Sequence, residues 1–416
     1  MNTETPIAAP RPDGHLHTAF TDLVGCELPI QQAAFGSLST ELVAAVSGAG
    51  GLGMIGAPTA SAGALSAAFD QVLAKTAAPV GVNFVAPFFD LSRDADALDV
   101  AIERAALVEF FYGDPDEDLI NRIHTGGSLA SWQVGSVNDA VAAARSGCDL
   151  VVVQGHEAGG HLAGTHALLP LLCEVLDLVD IPVLAAGGIT TSRALAAVLA
   201  AGAAGARIGT ALVVSEEADF HPDYKHAVVN ACSADAVYSN VFDAFWPNAP
   251  HRVLRSAIDA VQSLDTPTVG AMELGGHRVE VPRAAGAAPV GGATGHIDAM
   301  ALFAGQGVGS VSQLRPAATI VRELATGAGE LLHAAAGCRL RASEPPDTRG
   351  TTRRLATRAL PCRRAAAYRH RTPRPHAATT TSARRLDTPV RPVRKVPQRQ
   401  HSQCAAVAIY SPGKRE

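Results

Sequence analysis

The chain has 416 residues, of which 47% are hydrophobic and 18% are charged, and its formal net charge is −5. This hydrophobic content is ample for a large core, so a folded enzyme is the default expectation. No apolar run approaches the length of a membrane span and no signal-peptide pattern is visible, so we expect a soluble, cytoplasmic protein without a membrane partner.

The net charge conceals two unlike parts of the chain. Residues 339–416 contain 19 basic and 4 acidic residues, whereas residues 1–338 contain 15 basic and 35 acidic residues. The basic part is rich in Arg, Pro, Thr and Ala and lacks helical or strand periodicity, so we predict a disordered tail over 338–416. A nucleic-acid-binding arm is one alternative, but the tail has little aromatic interleaving and no binding motif. A reading-frame artefact or an extension without function explains the tail at least as well.

From residue 18 onward, short apolar runs alternate with alanine-rich stretches of helical periodicity. The runs predict eight strands: Pro29–Ala34, Gly51–Gly56, Val80–Val85, Leu107–Tyr112, Ser128–Val134, Leu150–Gln154, Val183–Ala186 and Ala206–Gly209. The predicted helices between them include Ser39–Ser47, Ser61–Lys75, Asp116–His124, Val137–Ser146, Ala167–Val179 and Ser192–Ala201. Eight such units within about 200 residues favour an α/β fold of the (β/α)8 (TIM) barrel type over 18–215. A doubly wound sheet is the alternative, and it is less favoured because eight strands close a barrel.

The alternation stops after Val214. Residues 216–301 contain turn signals at Pro222, Pro247, Pro250 and Gly275-Gly276, and we predict a smaller, mainly helical cap domain there. Residues 302–337 are predicted to return to the barrel wall and to end in an amphipathic helix.

The segment 48–53 (GAGGLG) matches the GxGxxG pattern of dinucleotide-binding folds. That fingerprint needs a strand before the glycines and a helix after them, so that the pyrophosphate meets a helix N-terminus. Here the predicted helix precedes the glycines and the strand follows. We therefore interpret these glycines as helix caps and a tight turn.

Glycine turns follow the seventh and eighth predicted strands. The first contains Ala186, Gly187 and Gly188 before an N-cap cluster, and the second contains Arg207, Ile208, Gly209 and Thr210. Turns at these two strands form the phosphate site of many barrels that bind phosphorylated cofactors, since they expose backbone N–H groups to an anion. The alternative is that both are only tight connections.

The loop after the sixth strand carries the sequence QGHEAGGHLAG over 154–164. His161 is a candidate general base or hydrogen-bond donor, because imidazole titrates near the working pH. Glu157 is a candidate structural acceptor that holds the loop. Three histidines at intervals of five residues share no helical face, and the seven cysteines include no CxxC pair, so we predict neither a metal site nor a disulfide framework.

Amide side chains stand at the ends of three predicted strands. Asn83, Gln133 and Gln154 end the third, fifth and sixth strands. Three amides that converge on one barrel mouth suit a heterocycle with mixed donors and acceptors, such as an isoalloxazine ring. Each alone could simply cap its strand.

Together these segments resemble the nitronate monooxygenase family, formerly called 2-nitropropane dioxygenases. The likeness runs from about Gly25 to Leu324 and rests on QGHEAGGH with PVLAAGGI and RIGT, supported by PIQQAAFG, AVSGAGGLG, GVNF, WQVGS, FWPNAPHRVLR and AGQGVG. The resemblance implies an FMN-dependent barrel with His161 as the catalytic residue. The predicted FMN contacts are Asn83, Gln133, Gln154, Gly159, Gly160, Ala186, Gly187, Gly188, Arg207, Ile208, Gly209 and Thr210. The chain departs from the family at Ala34-Phe35, where Pro-Met is usual, and a phenyl ring there would narrow the substrate pocket.

The implied reaction is the oxidation of a small nitronate by O2 to a carbonyl compound and nitrite. An NAD(P)H-dependent flavin reductase that acts on quinones or enoyl thioesters is the first alternative, because the same flavin loops serve both reactions. A non-catalytic FMN-binding or adaptor protein is the second alternative.

Overall fold

The computed structural model describes residues 16–36, 38–274 and 277–337 of the chain. In chain order, the first part contains α1 (Ala19–Val24), β1 (Ile30–Gln32), α2 (Thr40–Gly48), β2 (Gly53–Gly56), α3 (Ala62–Leu73), β3 (Val80–Val85), α4 (Leu91–Arg104), β4 (Leu107–Phe111), α5 (Glu117–Thr125), β5 (Leu129–Val134), α6 (Val137–Arg145), β6 (Leu150–Gln154), β7 (Gly160–His161), α7 (Leu168–Leu176), β8 (Val183–Ala186), α8 (Ser192–Ala200), β9 (Gly205–Ile208) and α9 (Thr210–Val213). The second part contains α10 (Pro222–Asn230), β10 (Ala236–Ser239), β11 (His251–Leu254), α11 (Arg255–Ser263), β12 (Thr268–Leu274), β13 (His277–Pro282), β14 (Thr294–Gly295) and α12 (Ala317–Gly337).

Eight parallel strands form a closed barrel. Their order is β1-β9-β8-β6-β5-β4-β3-β2, and a parallel bridge between Gln31 and Leu52 connects the two end strands. The predicted (β/α)8 barrel is therefore confirmed. All eight predicted strands are present with bounds within two residues of the prediction, because parallel strands that are buried on both faces give continuous apolar runs.

Alternation along each strand divides its side chains between two apolar cores. In β6, Leu150 and Val152 belong to the cluster inside the barrel, whereas Val151 and Val153 pack in the cluster shared with the surrounding helices. Helix α1 closes the amino end of the barrel. The ring of its Phe20 is completely buried in the inner cluster, and the Thr18 hydroxyl that caps the helix donates a hydrogen bond of 2.5 Å to the carbonyl of Ala204.

The predicted mainly helical cap is wrong in composition, because the segment 216–301 contains strands as well as helices. Strands β13, β12 and β14 form an antiparallel sheet, and β10, β11 and β7 form another. The sequences TVGAMEL and HRVEVP contain two β-branched residues each, and they flank a Gly-Gly pair, which is typical of a tight hairpin turn. The turn signal at these glycines therefore belongs to a strand pair and not to a connection between helices.

The last described helix agrees with the prediction of an amphipathic helix after Gly305. Helix α12 begins after Pro316 and packs against α8 and α2 of the barrel wall. No helix within the described ranges is both long and apolar enough to cross a bilayer. The predicted disordered tail, residues 338–416, lies outside the described residues.

Candidate active site

The two glycine turns lie side by side at the carboxyl end of the barrel, since β8 and β9 are neighbouring strands. Gly187 and Gly188 have φ values of 123° and 66°, which only glycine adopts readily. No hydrogen bond within the described residues uses the backbone N–H groups of these two glycines. The second turn passes from Arg207 and Ile208 in β9 through Gly209 to Thr210 at the start of α9. The geometry fits the predicted anion site.

A glycine-rich segment, residues 304–309 (AGQGVG), closes over three of the barrel loops. The N–H of Gly305 donates to the hydroxyl of Thr210 at 2.9 Å, and the Thr190 hydroxyl donates to the carbonyl of Gly307 at 2.9 Å. The N–H of Gln306 donates to the carbonyl of Glu157, also at 2.9 Å. The structure shows that segment 304–309 ties the loops after β6, β8 and β9 together.

Close packing accounts for one of the two glycines before His161. A Cβ on Gly159 would lie 2.5 Å from the backbone nitrogen of Gly305, so a side chain there would push segment 304–309 away. Gly160 has a φ of 78°, and a Cβ added to it would meet nothing within 4 Å. The backbone at Gly160 therefore borders open space at the carboxyl end of the barrel.

His161 lies on β7, where it pairs with His251 of β11. Its imidazole packs against the rings of Trp246 and Phe303, with centroid distances of 4.6 and 5.5 Å. Burial lowers the pKa of His161 from 6.5 to about 4, so the ring is neutral at neutral pH. Its Nε2 is buried and has no hydrogen-bond partner within the described residues. A buried polar atom without a partner costs free energy, which points to a ligand as the missing partner.

His251 shows why His161 differs from a structural histidine. The His251 Nε2 accepts a hydrogen bond from the N–H of Phe242 at 3.3 Å, so its Nδ1 carries the proton and donates to the carbonyl of Ala249 at 3.1 Å. Burial also lowers the pKa of His251. Both of its nitrogens are occupied by the backbone. His161 is therefore the histidine of this pair that can act on a substrate.

Gln154 and Glu157 hold the loop that carries His161. The Gln154 amide donates to the carbonyl of His161 at 2.9 Å and accepts from the N–H of Ala163 at 3.1 Å. The Glu157 carboxylate accepts from the N–H of Leu168, at the start of α7, at 2.9 Å. Glu157 thus has the structural role that the sequence indicated, whereas the Gln154 amide, predicted as an FMN contact, is already occupied by the loop backbone.

Arg252 connects the same loop to the cap. Its guanidinium donates to the carbonyl of His156 at 2.7 Å, to the carbonyl of Ala236 at 2.9 Å and to the His156 ring at 3.0 Å. Only 2% of Arg252 is exposed, and burial lowers its pKa. In the β-ladder, Arg252 pairs with Gly160, directly beside His161. Sequence reasoning missed this residue, although it lies within the quoted motif FWPNAPHRVLR.

A polar layer crosses the barrel below the mouth. The Arg207 guanidinium donates to Glu109, Gln133 and Gln31, and the Asn83 amide donates to the second oxygen of Glu109 at 2.7 Å. The structure therefore brings together Asn83 and Gln133, two of the three amides predicted to converge, whereas Gln154 bonds to the loop of His161. Arg207, predicted as part of a glycine turn, extends its side chain into this layer. The structure adds Glu109 and Gln31, which sequence reasoning missed. Their signal was the presence of polar residues at alternate, inward-facing positions of apolar strands.

Phe35 lies in an aromatic wall between the barrel and the cap. Its ring meets Phe220 at 5.0 Å, Phe220 meets Tyr224 at 5.2 Å, and the Tyr224 hydroxyl donates to the carbonyl of Phe303 at 2.5 Å. Phe303 in turn contacts His161. The predicted narrowing of a substrate pocket by Phe35 stays a prediction.

Cysteine and metal chemistry have no support at this site. Burial raises the pKa of Cys26 and Cys148 to about 12, so these thiols stay protonated. Within the described part of the chain, no group of three or more His, Cys, Asp or Glu side chains could hold a metal ion.

Two surface cavities lie elsewhere and contain none of the residues discussed above except Thr190. One, of about 430 Å³, is in the cap, and one, of about 180 Å³, is between α8 and α12. We assign the site to the barrel mouth because the polar layer is there, together with the buried His161 imidazole, whose Nε2 has no partner among the described residues.

The chain is similar in sequence and in fold to several known oxidoreductases. A family model described as "Nitronate monooxygenase" matches residues 17–327. A curated relative from Rhodococcus jostii (strain RHA1), named "(3aS,4S,5R,7aS)-5-hydroxy-7a-methyl-1-oxo-octahydro-1H-indene-4-carboxyl-CoA dehydrogenase", is 37% identical over 251 residues, 60% of this chain and 68% of the relative. A "Probable nitronate monooxygenase" from Staphylococcus saprophyticus is 33% identical over 273 residues, 54% of this chain and 76% of the relative. The solved structure of a nitroalkane oxidase from Streptomyces ansochromogenes has a TM-score of 0.62 and 30% identity, and the match covers 76% of this chain and 100% of that one.

Proposed function

Because the chain belongs to the nitronate monooxygenase family of flavin-type oxidoreductases, we propose that it is an FMN-dependent nitronate monooxygenase. It would oxidise alkyl nitronates with O2 to carbonyl compounds and nitrite. The observation that carries this proposal is the buried, neutral imidazole of His161, whose Nε2 has no partner within the described residues. The site offers no activated thiol and no metal-binding cluster among those residues, so the chemistry falls to a bound cofactor and one histidine.

The residues at the mouth fit FMN in two respects. Gly187 and Gly188 present N–H groups that make no hydrogen bond within the described residues, and they lie beside the Gly209-Thr210 turn, which suits a phosphate. Asn83, Gln133 and Arg207 supply amide and guanidinium groups near the barrel axis, which suit the polar edge of a flavin ring. Bound FMN would supply the electron transfer and the reaction with O2, which no side chain can supply.

His161 would act on the substrate as a neutral imidazole. A ring with a pKa of about 4 can donate a hydrogen bond to a nitronate oxygen at neutral pH. If the neutral nitroalkane binds instead, the same ring can accept the proton from the carbon that bears the nitro group. The nearby rings of Trp246 and Phe303 keep water away from this proton transfer.

The deciding experiment mixes the flavin-loaded protein anaerobically with propyl nitronate in one cuvette and with NADPH in another. We expect the nitronate to bleach the flavin absorbance and air to restore it with release of nitrite. Bleaching by NADPH alone would contradict the proposal and assign the protein to the NAD(P)H-dependent reductases. A purified protein that binds no FMN would overturn the cofactor assignment itself.

A second candidate function is favoured by the 37% identity to a carboxyl-CoA dehydrogenase with a fused-ring substrate. In that case His161 would accept a proton from carbon in the aromatic enclosure, and a CoA thioester would replace the nitronate. A third anaerobic cuvette with a fused-ring acyl-CoA tests this candidate. Bleaching there, without bleaching by propyl nitronate, would favour it over the monooxygenase.

A further inference from the structure

A buried ion pair lies inside the barrel, where its interior changes from apolar to polar. The Glu109 side chain is 0% exposed and the Arg207 side chain is 6% exposed. Glu109 belongs to β4 and Arg207 to β9, so the guanidinium reaches across the barrel to its partner. Arg207 also donates to Gln31 at 3.0 and 3.1 Å and to Gln133.

Stability does not account for this ion pair. Removing two ions from water costs free energy that their attraction often only just offsets, and well-packed apolar side chains are commonly as stable. The amino half of the same barrel is filled with apolar residues such as Leu107, Leu150 and Leu184. We therefore relate the ion pair to the candidate site at the carboxyl end, because charged groups that perturb their neighbours cluster at functional sites.

The members of the polar layer differ in how far they are enclosed. Three members are 6–7% exposed to solvent, namely Arg207, Gln133 and Asn83, whereas Glu109 and Gln31 are 0% exposed. Arg207 thus lies on the mouth side of the layer, together with two amides that we assign to the flavin ring. Glu109 lies on the enclosed side, where it holds the guanidinium and the Asn83 amide.

We propose that the Arg207–Glu109 ion pair tunes the reduction potential of the flavin. Arg207 places a fixed positive charge at the floor of the cofactor site, and Glu109 positions that charge and offsets part of it. Reduction adds negative charge to a flavin, so a nearby cation favours reduction and a carboxylate opposes it. This inference rests on the proposed FMN site, and it makes Arg207 and Glu109 positioning and tuning residues for that cofactor.

The test measures the midpoint potential of the flavin-loaded full chain by equilibration with a reference dye. Three proteins are compared: the wild type, Glu109→Gln, and the double variant Arg207→Gln with Glu109→Gln. Glu109→Gln removes the opposing charge and leaves the cation, so its potential should rise by at least about 30 mV, a tenfold change in a two-electron ratio. The double variant should have a potential below that of the wild type, because the charge nearer the flavin is lost.

A surface substitution of the same chemical type is the matched control. Glu41→Gln on α2 removes a carboxylate that pairs with Lys75 and is 62% exposed, so the flavin potential should not move. The double variant leaves no charge at the position of the ion pair and is expected to fold even if Glu109→Gln does not. Equal potentials in the wild type and the double variant, with flavin bound to both, would overturn this inference alone. A wild type without flavin would overturn the proposed function as well.

Discussion

The two halves of the barrel interior differ in the polarity of their side chains. At the amino end, Leu107, Leu150, Leu184 and the α1 ring of Phe20 are completely buried against one another. At the carboxyl end, strands β3, β4, β5 and β9 place amides, a carboxylate and a guanidinium inside the barrel. In β4, Leu107 of the apolar half and Glu109 of the polar half are only two residues apart. One half of the barrel thus supplies the apolar packing of the fold, and the other half carries the candidate site.

The largest expected effect comes from His161→Ala, which tests the carboxyl half alone. Nitronate turnover should fall by about 10²–10⁴-fold, the usual contribution of a positioned acid or base. The bound flavin should remain, because the imidazole Nε2 makes no hydrogen bond with the described part of the protein. Steady-state nitrite release and the flavin absorbance measure the two effects. Unchanged turnover would remove His161 from the mechanism.

Leu150→Ala tests the amino half. The side chain is 0% exposed in the inner cluster, so truncation should lower the free energy of unfolding by about 2–5 kcal/mol. The flavin content of the folded fraction should not change, since Leu150 begins β6 and the site residues follow its end. Urea unfolding gives the energy. Leu169→Ala is the control, because that leucine is 52% exposed and should change stability by less than about 0.5 kcal/mol.

The division into an apolar and a polar half also explains how much of the fold and of the candidate site could be predicted from the sequence. The strands were predictable because both-sided burial gives apolar runs, and Asn83, Gln133 and Arg207 were visible as polar residues at strand ends. Glu109 carries the same kind of signal, a polar residue at an inward position of the apolar strand LVEFF, but its contact with Arg207 spans 98 residues and could not be predicted. Contacts across a barrel depend on strand order and tilt, which local periodicity does not encode.

The cap was predicted less well for a related reason. Its small sheets bury only some of their residues. In β13, one residue is buried and the others are exposed or half-buried. Such strands lack the apolar runs that identify the barrel strands. The target of Arg252, a loop carbonyl 96 residues away, is likewise set by the β11–β7 pairing and not by any local pattern.

Arg252→Met sharpens the boundary between the two halves, because this residue stabilises a loop that belongs to the reactive end. The change leaves the carbonyls of His156 and Ala236 without their donor, which should cost about 1–3 kcal/mol of stability. Turnover should fall as well, since Arg252 pairs with the residue next to His161. Arg252→Lys should recover part of the stability, but an ammonium group cannot reproduce the planar set of hydrogen bonds that the guanidinium makes to His156 and Ala236. Full activity in both variants would show that the His161 loop is fixed without the cap.

The smallest expected effect is a pH dependence of stability that belongs to His161. Burial lowers its pKa to about 4 in the folded protein, whereas the ordinary value is 6.5. Between these values the unfolded chain binds a proton that the folded protein does not, so the free energy of unfolding decreases as the pH falls from 6.5 towards 4. From pH 8 to pH 5 this contribution is roughly 1–2 kcal/mol.

The same unfolding experiment on His161→Gln isolates that contribution. Gln cannot take up the proton, and the lowered pKa of His251 and His156 affects both proteins in the same way. The wild type should therefore lose more stability than His161→Gln between pH 8 and pH 5. An equal loss would mean that the His161 ring is readily protonated in the folded protein. It would then no longer be the uncharged, water-excluded imidazole on which the contrast between the two halves of the barrel depends.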